Sequence, residues 1–222
     1  MIKISKRLQK IADMVRYDTL IDVGSDHALL PVAMLVGKRI KSAISTDIAQ
    51  APLERGRQNA QKHSVSDQIE FILTDGLVGA HIVRPNLPDV CTISGMGGET
   101  IIHILRESME TARSFKQLLL SPQRDIPALR HFLHKNGFAI VNEVMLIENR
   151  KFYNILDCEP SQTVDFHQFS DAGYIFGQHL IERKCPIFAR FIKAEIIKYE
   201  RIKRQEYADY LALCKEVLSC IN

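Results

Sequence analysis

A doubly wound α/β sheet closed by an antiparallel hairpin is the fold that this 222-residue sequence predicts. Five short apolar segments alternate with segments of helical periodicity, which is the pattern of parallel strands joined by crossover helices. Two more apolar segments then follow each other with no helix between them, which indicates a hairpin. The rest of the chain has helical periodicity alone.

The alternating part begins with an amphipathic helix over residues 5–15, where Leu8, Ile11 and Val15 recur at helical spacing. Prolines stand in the first turn of the next two helices, where a missing N–H is tolerated, and a glycine follows the last helix as a C-cap. The five strands are predicted over residues 19–23, 42–48, 69–73, 89–94 and 115–120. The helices that follow the first, second, fourth and fifth strands are predicted over residues 28–38, 51–63, 99–110 and 126–136.

The hairpin is predicted to join strands over residues 138–147 and 152–158 through the polar connection 148–151. Antiparallel strands can be linked by a tight turn and need no crossover helix. This ending favours the sheet of a methyltransferase over that of a dehydrogenase, whose strands stay parallel.

After residue 160 the pattern becomes helical, with a short helix over residues 175–182 and two longer helices from residue 186 to the C-terminus. Two heptad-like series predict an antiparallel helical hairpin or a short coiled coil, with too few heptads to require an oligomer. We therefore expect two domains, residues 1–160 and 161–222, in a monomer. The series are Phe188, Ile192, Glu195, Tyr199, Ile202 and Tyr207, Leu211, Cys214, Leu218, Ile221.

Composition excludes several classes of protein. No apolar window approaches the roughly 18 residues that a membrane helix needs, and the N-terminus lacks the apolar run of a signal peptide. A cytoplasmic protein without a membrane partner is therefore expected. The five cysteines are odd in number and show no C-x-x-C spacing, so neither a disulfide framework nor a bound metal is expected.

The net charge of +3 is small, but the basic residues are clustered near both ends of the chain. Clustering sets the local potential, so the clusters predict contacts with a polyanion such as RNA, and solvated helix faces are the alternative. The predicted RNA-binding residues are Lys3, Lys6, Arg7, Lys10, Arg190, Lys193, Lys198, Arg201, Lys203 and Arg204.

The turn after the first strand, Gly24-Ser25-Asp26-His27, is the main candidate site. A dinucleotide-binding turn needs G-x-G-x-x-G so that its backbone can approach a pyrophosphate, and Asp26 would repel those phosphates. NAD and FAD are therefore disfavoured. S-adenosylmethionine, a cationic nucleoside without phosphates, fits better, because Gly24 permits close approach and the turn amides could take its carboxylate.

Two acids at later strand ends extend this site. Asp47 stands about 20 residues after the first turn, where a ribose-binding acid is expected, and Asp75 could accept a hydrogen bond from an adenine amino group. Asp22 is expected to order the turn from behind. For all three acids the alternative is a helix N-cap. The predicted cofactor-binding residues are Asp22, Gly24, Ser25, His27, Asp47, Ile48, Asp75, Gly76 and Gly95.

Five short motifs resemble the bacterial TrmK family of tRNA (adenine-22 N1)-methyltransferases over almost the whole chain. They are VGSDHALLP at residues 23–31, STDI at 45–48, TDGL at 74–77, ISGMGGETI at 93–101 and LLLSPQ at 118–123. The resemblance implies a Rossmann-like, seven-stranded class I methyltransferase domain and a C-terminal coiled coil. It also implies methylation of N1 of an adenine in the D-arm of tRNA by S-adenosylmethionine. One departure is Ser121-Pro122-Gln123, where a Gln-Pro-Asn-like triplet is expected, which leaves the role of Gln123 open.

The residues after the fourth strand agree with chemistry at N1. They lack both the Asn/Asp-Pro-Pro-aromatic motif of methylases that act on exocyclic amines and the Pro-Cys of C5-cytosine methylases. Adenine N1 already carries a lone pair and needs positioning rather than a base. We predict that Asp26 accepts a hydrogen bond from the adenine N6 amino group while the glycine loop, residues 95–98, admits the base. The alternative is that Asp26 only caps the helix that follows it. The other candidate catalytic residues are His27, Gly95, Met96 and Gly97.

Two other functions stay open on the residues alone. A methyltransferase acting on a small molecule or a protein would explain everything except the clustered charge. A non-catalytic RNA-binding protein on a methyltransferase fold would explain the charge but not the intact acids.

Overall fold

The computed structural model describes residues 2–78, 88–161, 169–202 and 204–221. In these residues one mixed sheet has seven strands in the order β3-β2-β1-β4-β5-β7-β6. The strands are β1 Thr19–Val23, β2 Ser42–Asp47, β3 Ile69–Leu73, β4 Val90–Ser94, β5 Gln117–Ser121, β6 Phe138–Glu148 and β7 Lys151–Pro160. Strands β1 to β5 are parallel, and β7 runs antiparallel between β5 and β6. The predicted parallel sheet and closing hairpin are confirmed.

The helices follow the predicted order with small changes at their ends. The segment predicted as one helix over residues 99–110 forms two, because the backbone leaves helical geometry at Ser108. The helices of the described residues are α1 Lys6–Met14, α2 Leu29–Val36, α3 Gln50–Lys62, α4 Gly98–Glu107, α5 Met109–Ser114, α6 Ile126–Lys135, α7 Gln178–Glu182, α8 Pro186–Ile202 and α9 Ala208–Ile221. Shorter helical turns are Asp26–Ala28, Ser66–Gln68, Gln205–Tyr207 and the π-helical turn Gly173–Gly177.

Helices cover both faces of the sheet, so the inner strands are buried on both sides. Alternation along β1 shows this arrangement, since Ile21 and Val23 pack in one apolar core and Leu20 in the other. The first core also holds Leu105 of α4, and the second holds Ile11 of α1. Both cores lie beneath the strand ends where a ligand-binding edge is expected.

The hairpin connection is shorter than predicted. Asn149 and Arg150 alone separate β6 from β7, and both have left-handed φ angles, 49° and 63°, as in the tight turns that match strand twist. Strand β5 pairs only with residues 156–158 of β7, so the distal half of the hairpin extends beyond β5. That half carries Met145, which packs in a third apolar core with α8 and α9.

The C-terminal helices form a hairpin attached to the sheet. The ring of Tyr199 contacts those of Tyr207 and Tyr210, and the Tyr210 hydroxyl donates to Glu195 at 3.0 Å, so α8 and α9 run in opposite directions. Phe188 is fully buried where α8 meets the hairpin core. The predicted pair of antiparallel helices is therefore present.

A buried ion pair anchors the start of this helical unit. Arg130 of α6 donates to both carboxylate oxygens of Glu143, at 3.2 and 2.6 Å, and to the carbonyls of Tyr174 and Ile175 at 2.7 and 2.9 Å. Asn154 also donates to Glu143. Because each buried charge is paired with the other and holds further hydrogen bonds, the pair avoids the penalty of an uncompensated charge and fixes the π-helical turn against the sheet. Among the helices described, none has the length and apolarity needed to cross a bilayer.

Candidate functional site

A cavity of about 550 Å³ lies at the carboxyl ends of the parallel strands, where open α/β sheets bind their ligands. Most of the predicted site residues line it, although they come from four separate strand ends. They are Asp22, Gly24, Ser25, Asp26, Asp47, Ile48, Asp75, Gly76, Gly95 and Met96. His27 and Gly97 do not line this cavity.

The turn after β1 has a strained backbone. Gly24 has a φ of 67°, which suits glycine, but His27 and Ala28 have φ angles of 60° and 48° without being glycine. A non-glycine residue in this region costs about 1–2 kcal/mol, so the surrounding contacts must hold the turn in place. The imidazole of His27 is half-exposed, 3.5 Å from the Asp26 carboxylate and outside the cavity.

Most amides of this turn already donate to backbone carbonyls. Gly24 N–H and Ser25 N–H both donate to the Thr46 carbonyl, at 2.8 and 3.1 Å. Asp26 N–H and Ala28 N–H donate to carbonyls of the turn itself. Four N–H groups of the turn therefore already have backbone acceptors, and a role of the turn amides in binding a ligand carboxylate stays a prediction.

Asp22 supports the turn from below. Its carboxylate accepts hydrogen bonds from Ser25 Oγ and Thr92 Oγ1, both at 2.6 Å. Burial raises the pKa of the Asp22 carboxyl above its ordinary value, while these two bonds and the charge of Arg7 act in the opposite direction. This geometry agrees with the predicted ordering role, and it places Asp22 in a strand rather than at a helix N-cap.

The other two acids stand at neighbouring strand ends. Asp47 ends β2 and lines the cavity, and one of its oxygens accepts from Ala49 N–H at 2.9 Å in the connection to α3. The N-cap of α3 is Ala49, so Asp47 is not a helix N-cap. Ile48 beside it is 71% exposed, an unusual position for a large apolar side chain without a partner. Asp75 is also exposed and lines the cavity past the end of β3. Gly76 next to it has a φ of 60°, and a Cβ there would lie 2.8 Å from Ile104.

The glycine loop after β4 is held by the loop after β5. Gly98 N–H donates to the Arg124 carbonyl at 2.8 Å, and Gln123 N–H donates to the Met96 carbonyl at 2.8 Å. A Cβ on Gly98 would lie 2.5 Å from the Asp125 carbonyl oxygen, and one on Gly97 would lie 2.9 Å from Arg124 Nε. Gly98 therefore serves the close backbone packing of the loops, whereas a Cβ on Gly97 would meet only the flexible Arg124 side chain. Of this loop, only Gly95 and Met96 reach the cavity.

Met96 connects the two loops that the sequence singled out. A Cβ on Gly24 would lie 2.0 Å from the Met96 methyl carbon, so the methionine occupies the space above that glycine. Gly24 is thus required both for its backbone conformation and for this contact. The turn after β1 and the loop after β4 form one continuous wall.

Arg7 enters the cavity itself, whereas the sequence predicts only that its basic cluster borders the site and binds RNA. Arg7 lines the cavity with Leu8, and its guanidinium lies over the Tyr153 ring at 5.2 Å. Its Nη1 is buried with no hydrogen-bond partner among the described residues. Its Nη2 lies 3.6 Å from the position of a Cβ on Gly95. A buried guanidinium nitrogen without an acceptor fits an anionic ligand group.

Several other lining residues had weak signals in the sequence. Thr100 and His103 lie on exposed positions of α4, directly after the glycine loop, and Gln123 follows the end of β5. The rule that ligands meet the carboxyl ends of strands points to Gln123. Helical periodicity alone gives no reason to choose Thr100 or His103.

The predicted RNA-binding residues separate into two groups. Lys3, Lys6 and Lys10 lie on or before α1, beside a shallow groove that also includes Gln9. Of the residues predicted in the C-terminal part, Arg190, Lys193, Lys198, Arg201 and Arg204 are exposed, and Lys203 lies outside the described residues.

The side chains that line the cavity suit a nucleoside with a charged amino-acid tail better than a metal ion. Two carboxylates stand at adjacent strand ends, an exposed apolar side chain lies beside them, and a free guanidinium nitrogen lies across the cavity. Among the described residues no group of three or more His, Cys, Asp or Glu side chains could hold a metal ion.

Comparisons with known proteins agree with this geometry. The model of the TrmK family, tRNA (adenine(22)-N(1))-methyltransferase, matches residues 20–218. The chain is 29% identical over 235 residues to the Bacillus subtilis tRNA (adenine(22)-N(1))-methyltransferase, with 98% of each chain covered. Streptococcus pneumoniae Sp1610, solved in complex with S-adenosyl-L-methionine, is 34% identical with a TM-score of 0.89, covering 97% of this chain and 100% of that one. The structure of the Bacillus subtilis M1A22 tRNA methyltransferase TrmK is 28% identical with a TM-score of 0.83, covering 98% and 100%.

Proposed function

The chain belongs to the TrmK family of tRNA (adenine(22)-N(1))-methyltransferases, and from this membership we propose how its residues divide the work of methyl transfer. The enzyme uses S-adenosylmethionine and acts on N1 of an adenine in tRNA. The observation that carries the division is the convergence of Asp47, Asp75 and the free Nη1 of Arg7 on one cavity.

The cofactor is held from three sides. Arg7 binds the carboxylate of its methionine part, because the guanidinium nitrogen is buried without an acceptor among the described residues and four of the turn amides already have acceptors. Asp47 accepts from the ribose hydroxyls, and Asp75 accepts from the adenine amino group of the cofactor. Ile48 covers the cofactor's adenine ring, and Gly24, Gly76 and Gly95 leave room for it. When bound, S-adenosylmethionine supplies an electrophilic methyl group that the N1 lone pair attacks as the carbon–sulfur bond breaks.

Asp26 stabilises the product side of this reaction. Its side chain is 68% exposed and lines the cavity. In our assignment the Asp26 carboxylate accepts a hydrogen bond from the N6 amino group of the target adenine. Methylation at N1 leaves the adenine positively charged, so a carboxylate at N6 lowers the barrier as the charge develops. No proton has to be removed before attack. Met96 and Gly95 form the wall that the base approaches.

The basic residues bind the phosphates of the tRNA backbone, and the C-terminal helices provide a second binding surface for them. Along α8, Arg190, Lys193 and Arg201 lie on one exposed face, opposite the buried Phe188 and Ile192. In this proposal residues 161–222 form a helical coiled-coil domain for tRNA, residues 1–160 form the methyltransferase domain, and the enzyme works as a monomer. Lys3, Lys6 and Lys10 contact phosphates on the other side of the target.

Nucleoside mass spectrometry tests the activity and the role of Asp26 together. Unmodified tRNA incubated with the enzyme and S-adenosylmethionine labelled in its methyl group should yield labelled 1-methyladenosine, and a tRNA with adenine 22 replaced by guanine should yield none. Asp26→Ala should lower kcat by roughly 100-fold while the Kd of S-adenosylmethionine changes little. Label on another nucleoside would contradict the proposed target, and equal loss of turnover and cofactor binding would contradict the role of Asp26.

A further inference from the structure

One face of α3 holds the strained turn Asp26–Ala28 from the outside of the cavity. Arg55 Nη2 donates to Asp26 Oδ1 at 3.1 Å, and Asn59 Nδ2 donates to the His27 carbonyl at 2.9 Å. Residues 55 and 59 are four apart and therefore point the same way from the helix. Both side chains reach the turn that carries the proposed catalytic carboxylate.

Gly56 on the same face allows α3 to approach the turn closely. A Cβ at Gly56 would lie 3.2 Å from the Cβ of Ala28 and 2.6 Å from the ring of Phe71. Larger residues at this position would push the helix away from the turn. The two polar contacts thus depend on a helix seated directly against the backbone of the turn.

The turn needs such support because its own residues do not favour its shape. His27 and Ala28 are consecutive non-glycine residues with left-handed φ angles of 60° and 48°. The His27 side chain is half-exposed and does not anchor the turn by burial. The carbonyl between these two residues is the one that Asn59 holds.

From this geometry we propose that Arg55 and Asn59 are positioning residues, which fix the turn and aim the Asp26 carboxylate at the target adenine. The proposal rests on the catalytic role proposed for Asp26. Arg55 binds Oδ1 and leaves Oδ2 of Asp26 for the amino group of the base. An exposed ion pair contributes little to folding stability. We therefore expect the Arg55–Asp26 pair to orient the Asp26 carboxylate rather than to stabilise the fold.

A phosphate contact is the other role that an exposed arginine near a tRNA site could have. Arg57 provides a matched control, since it lies on the same helix and carries the same charge. Its guanidinium donates to the Phe71 carbonyl at 3.2 Å and lies over the Phe71 ring. Arg57→Gln therefore removes a positive charge from α3 without touching the turn.

A double-mutant cycle separates positioning from phosphate binding. We would measure kcat, the KM for tRNA, the Kd of S-adenosylmethionine and the Tm for Arg55→Gln, Asp26→Asn, the double variant and Arg57→Gln. Arg55→Gln should lower kcat roughly tenfold or more, while its Kd for S-adenosylmethionine and its Tm stay near those of the wild type. Arg57→Gln should keep the wild-type kcat. In the Asp26→Asn background the Arg55 substitution should have no further effect, because Arg55 acts through Asp26.

The cycle distinguishes failure of this proposal from failure of the role of Asp26. If Asp26→Asn lowers kcat but Arg55→Gln leaves it unchanged, only the positioning role is overturned. Independent, multiplying losses, or a raised KM for tRNA shared with Arg57→Gln, would also overturn it. If Asp26→Asn has full activity, the catalytic role of Asp26 fails and the positioning role with it.

Asn59→Ala serves as a second variant that leaves the charges unchanged. It frees the His27 carbonyl without touching the Asp26 carboxylate. We expect a loss of kcat that is again absent in the Asp26→Asn background, with an unchanged melting temperature showing that the fold is intact. A wild-type kcat in Asn59→Ala would remove this residue from the proposal.

Discussion

The cavity at the strand ends and the exposed face of α8 are both assigned to ligands, but they are built in opposite ways. The loops that form the cavity wall pack so closely behind it that a single Cβ on Gly98 would lie 2.5 Å from a carbonyl oxygen. On α8 the cations Arg190, Lys193 and Arg201 are exposed, and no ion pair fixes them within the described part of the chain. If the proposed assignments hold, shape dominates recognition in the cavity and charge dominates it on α8, so single substitutions should have large effects in the first and small, additive effects in the second.

The largest effect is expected from Gly98→Ala. Its Cβ would collide with the backbone of the loop after β5 and destabilise the protein by about 1–3 kcal/mol, while displaced Gly95 and Met96 should lower kcat/KM by roughly 100-fold. Chemical denaturation and steady-state kinetics measure the two losses. Gly97→Ala is the matched control, because its Cβ meets only the flexible side chain of Arg124 and should change stability by no more than about 0.5 kcal/mol. Similar behaviour of both variants would break the comparison.

A smaller effect is expected from Arg7→Gln, which removes the charge proposed to bind the cofactor carboxylate. Loss of a hydrogen-bonded ion pair should weaken S-adenosylmethionine binding by about 10-fold to 100-fold, as measured by calorimetry. Arg39→Gln makes the same charge change at a residue that pairs with Asp13 outside the cavity and should bind the cofactor normally. An unchanged Kd for Arg7→Gln would assign the carboxylate to another group.

The smallest effects are expected from single substitutions on α8. Each of Arg190→Gln, Lys193→Gln and Arg201→Gln should weaken tRNA binding only a few-fold and should reduce the slope of log K against log salt by about one contact. Combining the three should add their effects, which titrations at several salt concentrations would show. Lys62→Gln on α3 is the control for general charge. An equal loss in Lys62→Gln, or a tRNA affinity that does not depend on salt, would contradict phosphate binding by the exposed face of α8.

The sequence predicted the fold well because the signals it uses are local. Periodicity placed the five parallel strands and the hairpin, and the acids at residues 47 and 75 were found from their positions after strands. The break at Ser108 was missed, since its helical pattern continues on both sides. The family motifs supplied the substrate class, which periodicity and composition do not contain.

The sequence by itself determined the alternation of elements, the acids that follow the strands and a first turn without the G-x-G-x-x-G pattern. Only the tertiary structure decided that the Thr46 carbonyl accepts from Gly24 and Ser25 N–H, that Arg7 enters the cavity, and that Gly98 packs against the loop after β5. The same holds for the α3 face that supports Asp26. Each of these depends on backbone approach between segments distant in the chain. Local propensity carries no information about such approaches, because they are fixed only when the sheet and its helices pack together.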